Sequence, residues 1–156
     1  MRAFILVIAL VGCSKPAQEA EAPHAAAPTQ TAAPPSPAAQ APQEALAAMP
    51  SWQGARAAGV GFRAVGQEPG WLLDIYSRGL IKFAWDYGEN YAEFAVAEPS
   101  APQEGVTRYE GHSNGRALAV TIRRSPCNDG MSGEAYPSTV EVVIDGRTLT
   151  GCGRDL

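Results

Sequence analysis

Between residues 61 and 150 apolar side chains recur at every second position, in short runs broken by turn residues, and no stretch of ten or more carries a helical stripe. A period of two sends alternate side chains to opposite faces of a strand, so each run offers one apolar face to a core. Trp71, Leu73 and Ile75 share a face of residues 71–76; Ile81, Phe83 and Trp85 share a face of 80–85; Leu118, Val120 and Ile122 share a face of 116–123. Residues 61–66, 91–97, 106–110, 139–144 and 147–150 bring the total to about eight short strands. Asn114-Gly115 and Asp145-Gly146 each separate two runs, and both suit type I′ turns, which need positive φ at two successive residues. Ser77, Arg78 and Gly79 read as another turn, as do Tyr87, Gly88, Glu89 and Asn90. Hairpins in series with no crossover helix predict an all-β fold. It is a small antiparallel meander barrel of about eight strands, closed or nearly closed so that no long edge stays unpaired.

This pattern belongs to residues 51–156, which hold all three Trp and all five Tyr and read as one domain with a single core. The preceding residues differ sharply. From 14 to 50 the chain is Ala, Pro, Gln, Glu and Thr, with eight of the 13 prolines and almost no large apolar side chain. Such a segment cannot bury enough apolar surface to offset its chain entropy, which predicts a disordered Ala/Pro-rich linker. Residues 43–49 suit a helical turn, but a piece that short is marginal alone. As a coil the linker would span roughly 30–40 Å, and fully extended about 115 Å.

The first 12 residues are different again. Arg2 precedes nine apolar residues, too few to cross a bilayer, which takes about 20. The run closes on Leu10, Val11, Gly12 and Cys13, which resembles the cleavage site of bacterial lipoproteins. The expectation is a processed signal peptide over 1–12, lipidation of Cys13, and a linker over 13–50. An ordinary secretory signal is the plainer alternative. Ser14, in place of Asp, after the cysteine leans towards the outer membrane, with the domain in the periplasm. The lipid bilayer is then one partner. Net charge is −4, the only basic pair is Arg123-Arg124, and Lys82 is the only lysine after Lys15, so no nucleic-acid partner is expected.

With Cys13 lipidated, Cys127 and Cys152 remain, and in an exported domain they have only each other as intramolecular partners. A bridge between them would contribute roughly 3–4 kcal/mol through loop closure. No CxxC motif suggests redox chemistry. The segment from Ser125 to Pro137, which the bridge would pin to the last strand, is the densest run of polar and turn-forming residues in the domain. Asn128, Asp129, Met131, Ser132, Glu134 and Tyr136 make it the candidate binding loop. Asn128, Asp129 and Glu134 offer oxygen ligands, but three fall short of the roughly 6–8 that Ca²⁺ takes. An Asx-type turn at Asn128, Asp129 and Gly130 is the simpler reading, and neither metal nor cofactor is expected.

Two groups of residues carry a family resemblance. Cys127, Asn128, Asp129, Gly130, Met131 and Ser132, followed by Tyr136-Pro137 and Gly151-Cys152, resemble the C-terminal signature of a family of exported bacterial lipoproteins. Upstream, Glu68, Pro69 and Trp71 match that family's EP-x-W motif, with Gly70 where an aromatic residue is expected. The resemblance spans about residues 61–153 and implies a small β-barrel. In outline this is similar to META-type domains and to the membrane-bound inhibitors of c-type lysozyme, although the inhibitors' loop motif is not found here. It implies no activity.

Other chemistry is sparse. His112 and Ser113 are adjacent, and strand neighbours point to opposite faces; no GxSxG elbow is present. Glu68 has no second carboxylate in its motif, which leaves a structural role, capping the barrel end or pairing with an arginine. Trp85, Tyr87, Tyr91 and Phe94 flank one hairpin turn, as core packing or as a ligand mouth. The expectation is therefore a membrane-anchored, non-enzymatic binding or envelope-homeostasis module. The alternative is an inhibitor of a host lysozyme-type hydrolase, presenting Arg116 beside Asn114-Gly115, or the 128–134 loop. Cys13→Ser is expected to abolish incorporation of labelled palmitate and to leave the precursor unprocessed; normal maturation of that variant would refute the lipidation site.

Overall fold

The computed structural model describes residues 46–156. The expected signal, Cys13 and the linker up to residue 45 lie outside the described residues. The strands are β1 (Val60–Gln67), β2 (Gly70–Tyr76), β3 (Leu80–Trp85), β4 (Asn90–Val96), β5 (Ser100–Gln103), β6 (Val106–Ser113), β7 (Arg116–Arg123), β8 (Cys127–Asn128), β9 (Ala135–Tyr136), β10 (Ser138–Ile144) and β11 (Arg147–Asp155). Eight of them form an antiparallel ring in the order β1-β2-β3-β4-β6-β7-β10-β11, with β11 back on β1 and β4 on β6. The meander barrel expected from the alternation is the fold that forms. Asn114 and Gly115 (φ 49° and 79°) and Asp145 and Gly146 (φ 49° and 82°) take the positive φ values of type I′ turns.

Three short strands carried no alternation signal. β5 extends the path of β4 after a break at Ala97, Glu98 and Pro99. β4 pairs Ala95 with His112 and Val96 with Gly111, and β5 then pairs Ser100 with Arg108 on the same β6. β8 and β9 form a separate two-stranded hairpin within the 125–137 segment.

The interior is filled. Ala64, Leu73, Ile81, Phe83, Phe94, Val120, Val140 and Val142 are fully enclosed. Phe83 stacks on Trp85 at 4.9 Å and meets Trp71 edge-on at 6.0 Å. Trp71 fits because two inward positions beside it are glycine. A Cβ on Gly66 would sit within the indole and 2.7 Å from the Thr150 carbonyl, and one on Gly151 would also strike the indole.

The outside of β1 and β2 is covered as well. Residues 49–59 lie across it, and Ala55, Val60 and Tyr76 form a small second core there with Leu80 and Leu156. Beneath this strap runs an ion pair with almost no solvent exposure, Arg63 at 1% and Asp74 at 0%. Arg63 donates from Nε and Nη2 to the two Asp74 oxygens at 2.6 and 2.7 Å, and Nη2 also donates to the Pro50 carbonyl at 2.7 Å. The Trp52 ring lies 5.0 Å from the same guanidinium. Removing one partner strands a buried charge: Asp74→Ala should lower unfolding free energy by about 3–5 kcal/mol, and Arg63→Met with Asp74→Leu should recover most of that loss. Urea unfolding measures both, and a near-neutral Asp74→Ala would contradict the account.

Candidate functional site

The loop between β8 and β9 is built from its cysteine outward. Along β11, Leu149 faces the core, so Cys152 points outward. Its disulfide to Cys127, with Cα atoms 5.5 Å apart, fastens β8 to the outer wall of the barrel. Cys127 and Asn128 pair with Tyr136 and Ala135, and the segment between them turns around Asp129. The Asp129 carboxylate accepts from Ser132 Oγ at 2.6 Å, from the Met131 N–H at 3.2 Å and from Gln67 Nε2 at 3.0 Å. Its backbone adds a pair of bonds, its N–H donating to the Glu134 carbonyl and its carbonyl accepting from the Gly133 N–H. This is the Asx-type turn expected from Asn128, Asp129 and Gly130, with Gln67 of β1 as an additional anchor. The Ser132 hydroxyl first, and then the Met131 N–H, hold the Asp129 carboxyl below the usual aspartate range.

The far side of the loop is held by Arg154. Its guanidinium lies 4.1 Å from the Tyr136 ring centre and 5.6 Å from that of Trp52, and donates to Glu134 Oε1 at 2.6 Å. The Tyr136 hydroxyl donates to the other Glu134 oxygen at 3.1 Å. Burial, followed by this bond, pushes the Tyr136 hydroxyl above the usual tyrosine value. Trp52 thus lies against both Arg63 and Arg154, which links the strap, the barrel wall and the loop.

Between the loop and the wall lies an open groove of about 320 Å³, which Gln67, Glu68, Asn128, Asp129 and Thr150 line together with the disulfide. The two sequence motifs therefore meet: Glu68 comes from one, Asn128 and Asp129 from the other. Trp71 is not part of this groove, because its ring fills the barrel interior. Met131, 73% exposed, stands at the loop tip beside exposed Ser132, whereas Tyr136 is buried. Glu68 is exposed, and among the described residues it makes neither a side-chain hydrogen bond nor an ion pair.

The aromatic set around the third hairpin is split. Trp85 and Phe94 are core residues, Tyr91 donates to Glu93 at 2.6 Å on the outer wall, and Tyr87 is 65% exposed. Asp86, Tyr87 and Gly88 all take positive φ, at 52°, 59° and 88°. The Tyr87 ring lies over Gly70, where a Cβ would come within 2.7 Å of it, and the Tyr87 N–H donates to the Gly70 carbonyl. The space an aromatic residue at position 70 would fill is thus taken by Tyr87. At the next hairpin Arg116 bonds Asp145 at 2.7 Å and lies 5.3 Å from the Trp85 ring. Among the described residues no three His, Cys, Asp or Glu side chains gather to hold a metal ion. No protein-family model, curated protein or solved structure matches the chain.

Gln67, Arg154 and Trp52 anchor the loop and its surroundings, and nothing in the sequence marks them. Each is an isolated polar or aromatic residue, joined to the loop only by the barrel's register and the strap. Folding lowers the Asp129 pKa, so the unfolded carboxyl takes up its proton first as pH falls. Its contribution is therefore complete above about pH 4 and is lost as pH drops through the lowered folded value. Asp129→Ala should raise amide exchange across residues 129–134 at neutral pH, and acidification of the unsubstituted protein should lower the protection of the same amides once exchange is normalised to the intrinsic rate at each pH. Unchanged exchange in the variant would show that the disulfide alone orders the loop.

Proposed function

We propose that this protein is a lipid-tethered, non-enzymatic binding module of the bacterial cell envelope, with the loop from Asn128 to Tyr136 as its recognition element. One observation carries the reading: the loop is fixed from both sides, yet its tip holds Met131 almost free of contact. Asp129, Gln67, Arg154 and the disulfide hold the backbone in place, so little ordering remains to oppose association. Exposed methionine is an adaptable apolar contact for a protein surface. The tether rests on the residues around Cys13, which also support an outer-membrane location facing the periplasm.

The family resemblance of the Glu68–Trp71 and Cys127–Ser132 segments supports an exported lipoprotein. The alternative, inhibition of a lysozyme-type hydrolase, now rests on the same loop, because Arg116 at the other candidate tip is engaged by Asp145 and Trp85. A photo-crosslinking residue at position 131 of the full chain in living cells is expected to capture a discrete envelope protein. The same residue at position 112, on the opposite wall, is expected to capture none. Equal capture from both positions would defeat the assignment of the loop. Capture of a hydrolase, with loss of its activity upon mixing, would select the inhibitor reading.

A further inference from the structure

A second cavity, unrelated to the loop groove, opens at the barrel end where β1 and β3 begin and β2, β4 and β11 finish. Its volume is about 320 Å³. It exists because the seam that closes the ring is short. β4 and β6 share only two residue pairs before the chain leaves the ladder at Ala97, Glu98 and Pro99. Proline has no N–H to continue the ladder. The floor is the end of the core, Phe62 and Ile75, with Tyr109 beside them, and Val96 and Tyr76 form part of the wall.

The charge at this mouth has one sign. Glu98 and Asp155 line it, no lysine or arginine does, and neither carboxylate has an ion-pair partner among the described residues. Lys82 approaches the Tyr76 ring at 5.6 Å but bonds Glu93 at 3.1 Å, and Arg63 is spent on Asp74. Burial, then Asp155, then Glu98, raises the Tyr109 hydroxyl above its usual value, so it stays a neutral phenol facing both carboxylates.

We propose that this mouth binds an organic ammonium ion with an apolar tail. The tail lies on Phe62, Ile75 and Val96. The ammonium group sits between the Glu98 and Asp155 carboxylates and the Tyr109 ring, while the Tyr76 ring is already packed under the strap with Lys82 against it. Aromatic faces joined to uncompensated carboxylates recognise alkylammonium groups, and the mouth of a small barrel is a usual place for such a ligand. The site is independent of the 128–136 loop and of whatever that loop contacts.

The test titrates the full chain with 3-phenylpropylammonium, neutral 3-phenylpropanol and anionic 3-phenylpropanoate, followed by heteronuclear NMR. The ammonium should bind about tenfold more tightly than the alcohol, the carboxylate should not bind, and shifts should centre on Phe62, Ile75 and Tyr109. Glu98→Gln with Asp155→Asn alters two exposed side chains and should reduce the ammonium to the affinity of the alcohol. Val96→Trp should block both ligands by filling the cavity. Equal affinity for all three compounds, shifts centred elsewhere, no binding by any of them, or a preference that survives the double substitution would each overturn the proposal.

Discussion

An eight-stranded barrel encloses a space just wide enough for its own side chains, and that limit governs the rest of this molecule. Three rings from Trp71, Phe83 and Trp85 occupy one region of it, and Trp71 fits only because positions 66 and 151 carry no side chain. With the interior taken up by packing, polar recognition has to be built on the outer wall or at an end. Both candidate sites obey this rule. One lies on the wall across β1 and β11, and the other lies at the end of the barrel beside the short β4–β6 seam.

The outer wall carries a second layer of structure to match. The strap over β1 and β2 and the hairpin over β11 are short elements that could not hold their shapes alone. Each is fixed by strong local bonds in place of a large apolar core: the Arg63–Asp74 pair with the Pro50 carbonyl for the strap, the disulfide and the Asp129 network for the hairpin. The buried pair is costly to desolvate, so its net stabilisation is small even though losing one partner is severe. Its effect is to fix position, since a guanidinium with three well-aligned acceptors has one place to sit. Trp52 then joins the two coverings by lying against Arg63 and Arg154 together.

The barrel itself was legible in the sequence because its signals are local. Alternation within 71–76, 80–85 and 116–123 needs only neighbouring residues, and Asn114-Gly115 and Asp145-Gly146 specify their own turns. The pairing of Cys127 with Cys152 followed from reading Cys13 as the lipidation site, which left these two cysteines to each other. The short strands were not legible. Ser100–Gln103 is exposed along its whole length, and the two-residue strands around Asp129 are too brief to show a period. Nor did anything in the sequence mark Arg63 and Asp74 as partners, since they meet only through the register of β1 with β2. The candidate loop was visible as a polar run. Its anchors at Gln67 and Arg154 were not, being set by how the barrel wraps. The cavity at the β4–β6 seam is a product of closure geometry, which no single segment encodes.

The Pro50 carbonyl bond has a mechanical meaning. Tension applied to the chain ahead of Leu46 does not peel away an edge strand, because the first strand is hydrogen-bonded on both sides. It passes through the strap into the Arg63 guanidinium and from there into Asp74 on the neighbouring strand, so the load is divided between two adjacent strands of the ring. The first thing to yield under such a pull is the strap of residues 49–59, which is external to the barrel. The wall behind it keeps its ladder, so the strap would open under such a pull before the folded body does.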